Sequence, residues 1–382
     1  MPAADFVLSD ARLVLPDRVI EHGWIAVNGG RIAEIGEGAA PADALSLAGD
    51  TLIPGLVELH TDHLEVHTQP RPSVNWPPLS AVVAYDAQIA AAGITTVYDC
   101  LRCGGDADNK DPNGGRIDLL ARTMKSAEEE DLLRAEHRTH LRCEICSPDV
   151  LESTERFLSR NAVHLISLMD HTPGQRQFRD AEKLRTYYRG KTGMNEADLD
   201  TFFGERQRLH DMYSDVHRRA LVSIARRSGI VLASHDDTTV EHVQESVEDG
   251  ARIAEFPTTI EAATASHAAG IAVMMGAPNL VRGGSHSGNV AAEELARQGT
   301  LDIFSSDYVP ASLILAAFAL SERLPGITLP DAVATVTRNP ARAVGLDDRG
   351  EIVVGKRADL VRVHMSGIPV VRTVWREGRR VV

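Results

Sequence analysis

Nowhere in this 382-residue chain do about 20 apolar residues run uninterrupted by charge, so no segment is suited to cross a bilayer as a helix. The N-terminus, MPAADFVLSDARLVLPD, also lacks the basic start and apolar stretch of a secretory leader. Cysteine is scarce. Cys100, Cys103, Cys143 and Cys146 are too few to staple a chain of this size, which points to reduced thiols in a soluble cytoplasmic protein. The two C-x-x-C pairs have the outline of a zinc ribbon, but 39 residues lie between them and no Gly-containing knuckle follows either. They read instead as buried or pocket-lining thiols. Excess positive charge is missing too. A formal net charge of −14 and a pI near 5.5 exclude a protein that coats nucleic acid or an anionic membrane surface. An anionic small molecule must therefore be met by local cations. A homo-oligomer is compatible with this composition.

What the chain does contain is a repeated alternation. The β-type runs LVELHTD (56–62), ITTVYDC (94–100), LRCEI (141–145), HLISLMD (164–170), IVLASHDD (230–237), IAEFPTT (253–259), IAVMMGAPN (271–279) and LDIFSSD (301–307) are mostly separated by helical patterns such as AVVAYDAQIAAAG and VAAEELARQG. Eight such runs predict an α/β fold, a (β/α)8 barrel spanning residues 55–347. Short strand-and-turn segments at both ends, with Gly29-Gly30 as a hairpin turn, predict a small β-sandwich built from residues 1–54 and 348–382. The stretch 179–215 is longer than a crossover needs and is a candidate lid or pocket wall.

Polar residues gather at the C-terminal ends of these runs, the face where such barrels carry chemistry. In HTDHLEVH (60–67), strand alternation projects His60 and Asp62 together and sends His63 the other way, so His60 and Asp62 are the expected metal ligands. His63, Glu65 and His67 fall in the loop beyond as wall residues. His171 and His235, ending the fourth and fifth runs, suit a second ion, and Asp307, ending the eighth, suits the first. Two close cations need a shared anionic ligand. None of the five lysines, Lys110, Lys125, Lys183, Lys191 and Lys356, lies in a barrel run, so a carboxylated lysine is excluded and Glu144 is the expected bridge. Imidazole and carboxylate donors favour two divalent ions, zinc first, with manganese or iron as alternatives.

The segment GAPNLVRGGSHSGNV (276–290) follows the seventh run, where barrel loops often hold phosphate. Arg282, Gly284, Ser285, His286, Ser287 and Asn289 are its candidate phosphate contacts. Arg176, Arg189 and Lys191 after the fourth run, and Arg71 after the first, are candidate clamps.

Several longer motifs, among them HTDHLEVHTQPRPSVNWP, SLMDHTPGQRQF, YYRGKTG, GAPNLVRGGSHSGNV and SSDYVPASL, together resemble the α-D-ribose 1-methylphosphonate 5-triphosphate diphosphatase family, the phosphonate-utilisation branch of the amidohydrolase superfamily. The likeness spans nearly the whole chain. His63 departs from it, since Asn is expected after HTD. The resemblance implies a two-metal barrel with a β-sandwich, acting on a phosphorylated sugar, a ribose 5-triphosphate, to release pyrophosphate and leave the 5-phosphate. In that reading water is activated at the two ions, Asp307 orients it and accepts its proton, and Glu144 holds the ions together. The alternatives are a deaminase or cyclic amidase using the same metal chemistry on carbon, and a barrel that binds a phosphorylated ligand without turnover.

Overall fold

The computed structural model describes residues 5–71, 73–105, 115–176, 185, 189, 194–285 and 288–382. Five short strands open the chain: β1 (Phe6–Val14), β2 (Val19–Asn28), β3 (Arg31–Glu37), β4 (Leu45–Ser46) and β5 (Thr51–Pro54). The eight anticipated runs follow as β6 (Leu56–Thr61), β7 (Ile94–Cys103), β8 (Glu136–Glu144), β9 (Leu165–Met169), β10 (Val231–His235), β11 (Ile253–Glu255), β12 (Ala272–Gly276) and β13 (Ile303–Ser305). The chain ends with β14 (Leu360–Met365), β15 (Pro369–Arg376) and β16 (Arg379–Arg380).

Strands β6 to β13 form one parallel sheet in sequential order. The sheet closes where the last strand returns to the first: Thr61 bridges Asp307 in parallel, the Asp62 N–H donates to the Asp307 carbonyl at 3.0 Å, and the Asp307 N–H donates to the His60 carbonyl at 3.1 Å. Burial on both faces makes these runs continuously apolar rather than alternating. Inside, Val57, Leu59, Tyr98, Leu165, Ala233, Ile253, Met274 and Ile303 pack into one cluster that plugs the barrel. Outside, Val97, Leu141, Ile166, Leu232, Val273 and Phe304 meet helix residues such as Ile89, Leu221 and Leu313.

The other sheet runs in the order β16-β15-β14-β5-β1-β2-β3, with β4 on β1, around a core that includes Leu8, Leu13, Ile25, Leu52, Leu360 and Trp375. Its two chain ends meet where β5 pairs antiparallel with β14, Ile53 opposite Val361. The β2–β3 hairpin turns at Gly29 and Gly30, whose φ angles of 53° and 79° are those of a two-residue loop matched to strand twist.

Three local differences from expectation have clear causes. Residues His63–Thr68 form a short helix, not a loop: the Thr61 hydroxyl accepts the His63 N–H, and Leu64 and Thr68 are buried beneath it. Ala277–Arg282 is likewise helical, because Pro278 suits a first turn and the glycines begin only at Gly283, which ends the helix at φ 86°. The supposed lid overlaps the 33-residue helix Glu196–Ser228, capped by the Asn195 side chain at one end and by Gly229 at φ 64° at the other. The remainder of that stretch lies largely outside the described residues. Among the described residues no helix is long and apolar enough to cross a membrane.

The two sheets are tied by charge. Glu136, the first residue of β8, accepts from Arg349 Nη1 at 2.7 Å and from Arg357 Nη1 at 2.6 Å. Burial alone would raise this carboxyl, but the two guanidiniums prevail and hold it down at about 2. Its contribution is therefore complete above the ordinary value of 4.5 and is lost as pH falls toward 2. We expect Glu136→Gln to cost on the order of 2 kcal/mol in urea unfolding at pH 7, since it weakens charge-assisted bonds from two buried guanidiniums that keep Asp348 and Asp359 nearby. The gap from the unaltered protein should narrow steadily below pH 4.5, and a pH-independent gap would contradict the assignment.

Candidate active site

The C-terminal rim of the barrel encloses a cavity of about 290 Å3 lined by His60, Asp62, Arg142, His171, His235, Asp236, Phe256, Asn279, Arg282, Ser285, Asn289, Asp307 and Tyr308, with a few apolar neighbours. Within it two sets of three donors converge. His60, Asp62 and Asp307 have ligand atoms within 4.8 Å of one another, and so do those of His171, His235 and Asp236. The imidazoles of His60 and His235 stack with centroids 5.6 Å apart, and those of His171 and His235 are 5.7 Å apart. The sets therefore share one cavity.

A local irregularity positions the first set. Leu59 belongs to the inner apolar cluster, and its neighbour His60 also faces inward, which strict alternation forbids. The β6–β7 register is broken between Glu58 and Thr61, and the buried Glu58 carboxylate takes the His60 N–H at 2.6 Å and the Ser306 N–H at 2.6 Å. Such a bulge re-aims the chain beside a site. Asp236, Phe256 and Asp307, just past the ends of β10, β11 and β13, have φ of 56°, 54° and 55°, a left-handed conformation uncommon for residues with a side chain.

Beneath the cavity lies a fully buried carboxylate, Glu255. Its Oε2 is 2.9 Å from His235 Nδ1 and 3.1 Å from His60 Nδ1, although the His60 contact is out of line for a hydrogen bond. One carboxylate thus faces the Nδ1 side of two imidazoles and leaves Nε2 of each toward the cavity, where His235 Nε2 is 3.4 Å from Asp236 Oδ2. Burial lowers His60 to about 3 and His235 to about 4, so both rings are neutral, the form that ligates metal. On the acidic side, burial raises Asp236 to about 7, and burial with the charge of Asp62 raises Asp307 to about 7. Asp236 Oδ2 is buried without a hydrogen-bond partner. Neutral imidazoles beside crowded carboxylates that lack sufficient positive charge are a donor set suited to divalent cations.

The other expected residues are placed as follows. Glu144 lies with His171 Nδ1 at 2.8 Å from its Oε1, and with Arg102 at 3.2 Å, rather than among the cavity-lining side chains. Burial opposes its charge, but His171 and Arg102 hold it at about 2. Arg282 and Ser285 line the cavity, with Asn289 beside them. Gly284 borders a separate surface hollow with Gly283 and Arg297. Arg176, expected as a phosphate clamp, is buried, with its guanidinium against Asp237 and 3.0 Å from Glu245, so its charge is already met within the fold. Lys191, His286 and Ser287 lie outside the described residues.

Sequence reasoning overlooked Arg142, Glu255 and Tyr308, and placed Asp236 among the polar strand ends without making it a ligand. Arg142 lines the cavity with its guanidinium against Asp62. Asp236 was visible as the second acid-base residue of SHDD, and Glu255 as the lone charge inside an apolar run, but neither position announces its orientation.

A family model for the amidohydrolase family matches residues 123–382. A relative from Escherichia coli, alpha-D-ribose 1-methylphosphonate 5-triphosphate diphosphatase, is 46% identical over 381 residues, 98% of this chain and all of that protein. This chain belongs to the amidohydrolase family and is a hydrolase. Among solved structures, N-acetyl-D-glucosamine-6-phosphate deacetylase from Mycobacterium smegmatis superposes with a TM-score of 0.65 at 18% identity, covering 99% of this chain and 100% of that one. N-isopropylammelide isopropylaminohydrolase from Burkholderia multivorans gives 0.63 at 17%, covering 99% and 98%. At such identities these two share the fold alone.

Glu255→Gln keeps the shape but removes the charge that orients His60 and His235. We expect zinc affinity, measured by competition with a chromogenic chelator, to fall roughly 10–100-fold. Unchanged affinity would remove Glu255 from this role.

Proposed function

We infer that the protein hydrolyses α-D-ribose 1-methylphosphonate 5-triphosphate to the 5-phosphate and pyrophosphate, as a step in phosphonate breakdown. The chain divides into a barrel of residues 55–347 and a sandwich of residues 1–54 and 348–382, and it acts as a soluble cytoplasmic enzyme. One observation carries the reading: one cavity is lined both by two three-donor groups and by Arg282, Ser285 and Asn289. The end-to-end relationship to the E. coli diphosphatase supplies the substrate.

Two divalent ions are the implied cofactors, zinc by the softness of imidazole donors. His60, Asp62 and Asp307 would hold one, and His171 and His235 the other. Glu144, in contact with His171, is the proposed shared carboxylate, with Asp236 as its competitor. When bound, the ions supply Lewis acidity, offsetting phosphoryl charge and making water nucleophilic near neutral pH.

The chain's own groups do the rest. A water adds to phosphorus, one P–O–P bond breaks, and the departing pyrophosphate carries the electron pair. Asp307 stands in the same donor group as His60 and Asp62, and its carboxylate takes the proton that the water loses. Arg282 provides charge-assisted hydrogen bonds to phosphoryl oxygens, with Ser285 and Asn289 alongside. Arg142 adds a second cation on the Asp62 side. Apolar walls, the buried Met275 and the partly buried Phe256, limit bulk water. Lys191, His286 and Ser287, outside the described residues, are the remaining proposed substrate contacts.

Phosphorus NMR of the metal-loaded protein with the 1-phosphonate ribose 5-triphosphate tests this. Pyrophosphate and the 5-monophosphate should appear in equal amounts. Release of ammonia or of a ring-opened acid from amide substrates, with the triphosphate intact, would transfer the chemistry to carbon. Glu144→Gln should lose several orders of magnitude in rate and bind its second ion weakly. A Glu144→Gln protein with two ions and ordinary turnover would assign the shared position to Asp236.

A further inference from the structure

Outside the cavity, a second convergence of donors is built from three separate elements. Cys146 follows the end of β8, Asp170 follows the end of β9, and His210 projects from the middle of the helix Glu196–Ser228. Their ligand atoms lie within 4.8 Å of one another, and none of the three lines the active-site cavity. Cys146 and Asp170 are buried, and the His210 side chain is about one-fifth exposed.

The distances discriminate between two chemistries. A thiol activated as a nucleophile needs the two ring nitrogens of a histidine to serve different partners, one the thiol and the other the carboxylate. Here the same nitrogen faces both: His210 Nδ1 is 2.8 Å from Asp170 Oδ2 and 3.7 Å from Cys146 Sγ, while Cys146 Sγ is 3.3 Å from Asp170 Oδ1. Sulfur, nitrogen and carboxylate oxygens thus lie within reach of one ion, with Asp170 turning Oδ1 to the sulfur and Oδ2 to the ring. A tetrahedral ion with sulfur at about 2.3 Å and nitrogen or oxygen at about 2.0–2.1 Å has donor-to-donor edges of roughly 3.3–3.6 Å, close to the two edges that involve sulfur. Thr172 Oγ1, 3.5 Å from the sulfur, is a neutral oxygen close enough to complete the set.

We propose that Cys146, Asp170 and His210 form a thiolate-containing site for a single transition-metal ion, zinc by its ligand chemistry, distinct from the ions of the active-site cavity. Binding exchanges the thiol proton for the ion. Burial and the Asp170 charge push that thiol up, so in the absence of an ion the sulfur is protonated and inert. The neighbourhood is already rigid: the same helix places His217 two turns further on, with its Nδ1 2.9 Å from the Ile145 carbonyl, and Thr172 N–H donates to Asp170 at 3.0 Å. An ion here would lock the ends of β8 and β9 to the long helix, immediately behind Glu144 and His171.

Cobalt substitution tests the site with a signal that the cavity ions do not produce, because their proposed ligands are all nitrogen and oxygen. The protein reconstituted with cobalt should show thiolate-to-cobalt charge-transfer absorption in the near ultraviolet. Cys146→Ser should abolish that band and lower bound metal by about one ion per chain, and His210→Gln should weaken binding of the same ion at least tenfold. Absence of the band in the unaltered protein overturns the proposal whether or not the variants fold. A band that survives Cys146→Ser overturns it as well and points to Cys100, the thiol beside His60 and His140. The readout is independent of turnover, so failure of the diphosphatase reading leaves it intact.

Discussion

The return of β13 onto β6 is the contact on which the site depends. Two backbone hydrogen bonds and the Thr61–Asp307 bridge join positions 246 residues apart, and the residues that they join flank or include His60, Asp62 and Asp307. Closing the barrel and assembling the first donor group are therefore one event. The loop-closure entropy of bringing such distant segments together is recovered by the interior cluster, to which seven of the barrel strands contribute.

The second constraint is charge. Asp62, Asp236 and Asp307 at the rim and Glu255 beneath it crowd negative charge into a small volume, and the fold meets it in two ways. Glu255 and Glu58 are spent on positioning, the first facing the Nδ1 side of two imidazoles and the second capping backbone N–H groups at the bulge. Among the described residues Asp236 and Asp307 have no such partner of full charge, and burial pushes them up to about 7. Holding them there uses backbone conformations that side chains disfavour, which is where folds concentrate strain for function. Both arginines are paired, but Arg176 is met by Asp237 and Glu245 away from the cavity lining, whereas Arg142 meets Asp62 within it.

Much of this was legible in the residues themselves. The eight barrel strands coincide with the apolar runs, because a parallel sheet buried on both faces requires uninterrupted hydrophobicity. His60 and Asp62 both line the cavity, but Asp62 lies beyond β6 and the register breaks before it, so strand alternation is not the cause. Local chemistry was less legible. HLEVHT became a helix because burial of Leu64 and Thr68 outweighs its polar composition, and the Gly-rich segment begins with a helix because Pro278 precedes the glycines. The inward turn of His60 directly after an inward Leu59 depends on a register break, which no periodicity encodes.

By itself the sequence determined the strand order, the end of the barrel that carries polar groups, and the chemical type of the donors, because these follow from short-range patterning and residue identity. Only the tertiary structure decided which carboxylates meet which imidazoles. That choice sets Glu255 beneath two histidines, Glu144 against His171, Asp236 on the cavity wall, and Cys146 beside His210. It depends on how strands and helices far apart in the chain pack together, and a side chain's partner across a closed barrel is set by that three-dimensional register rather than by its neighbours in sequence.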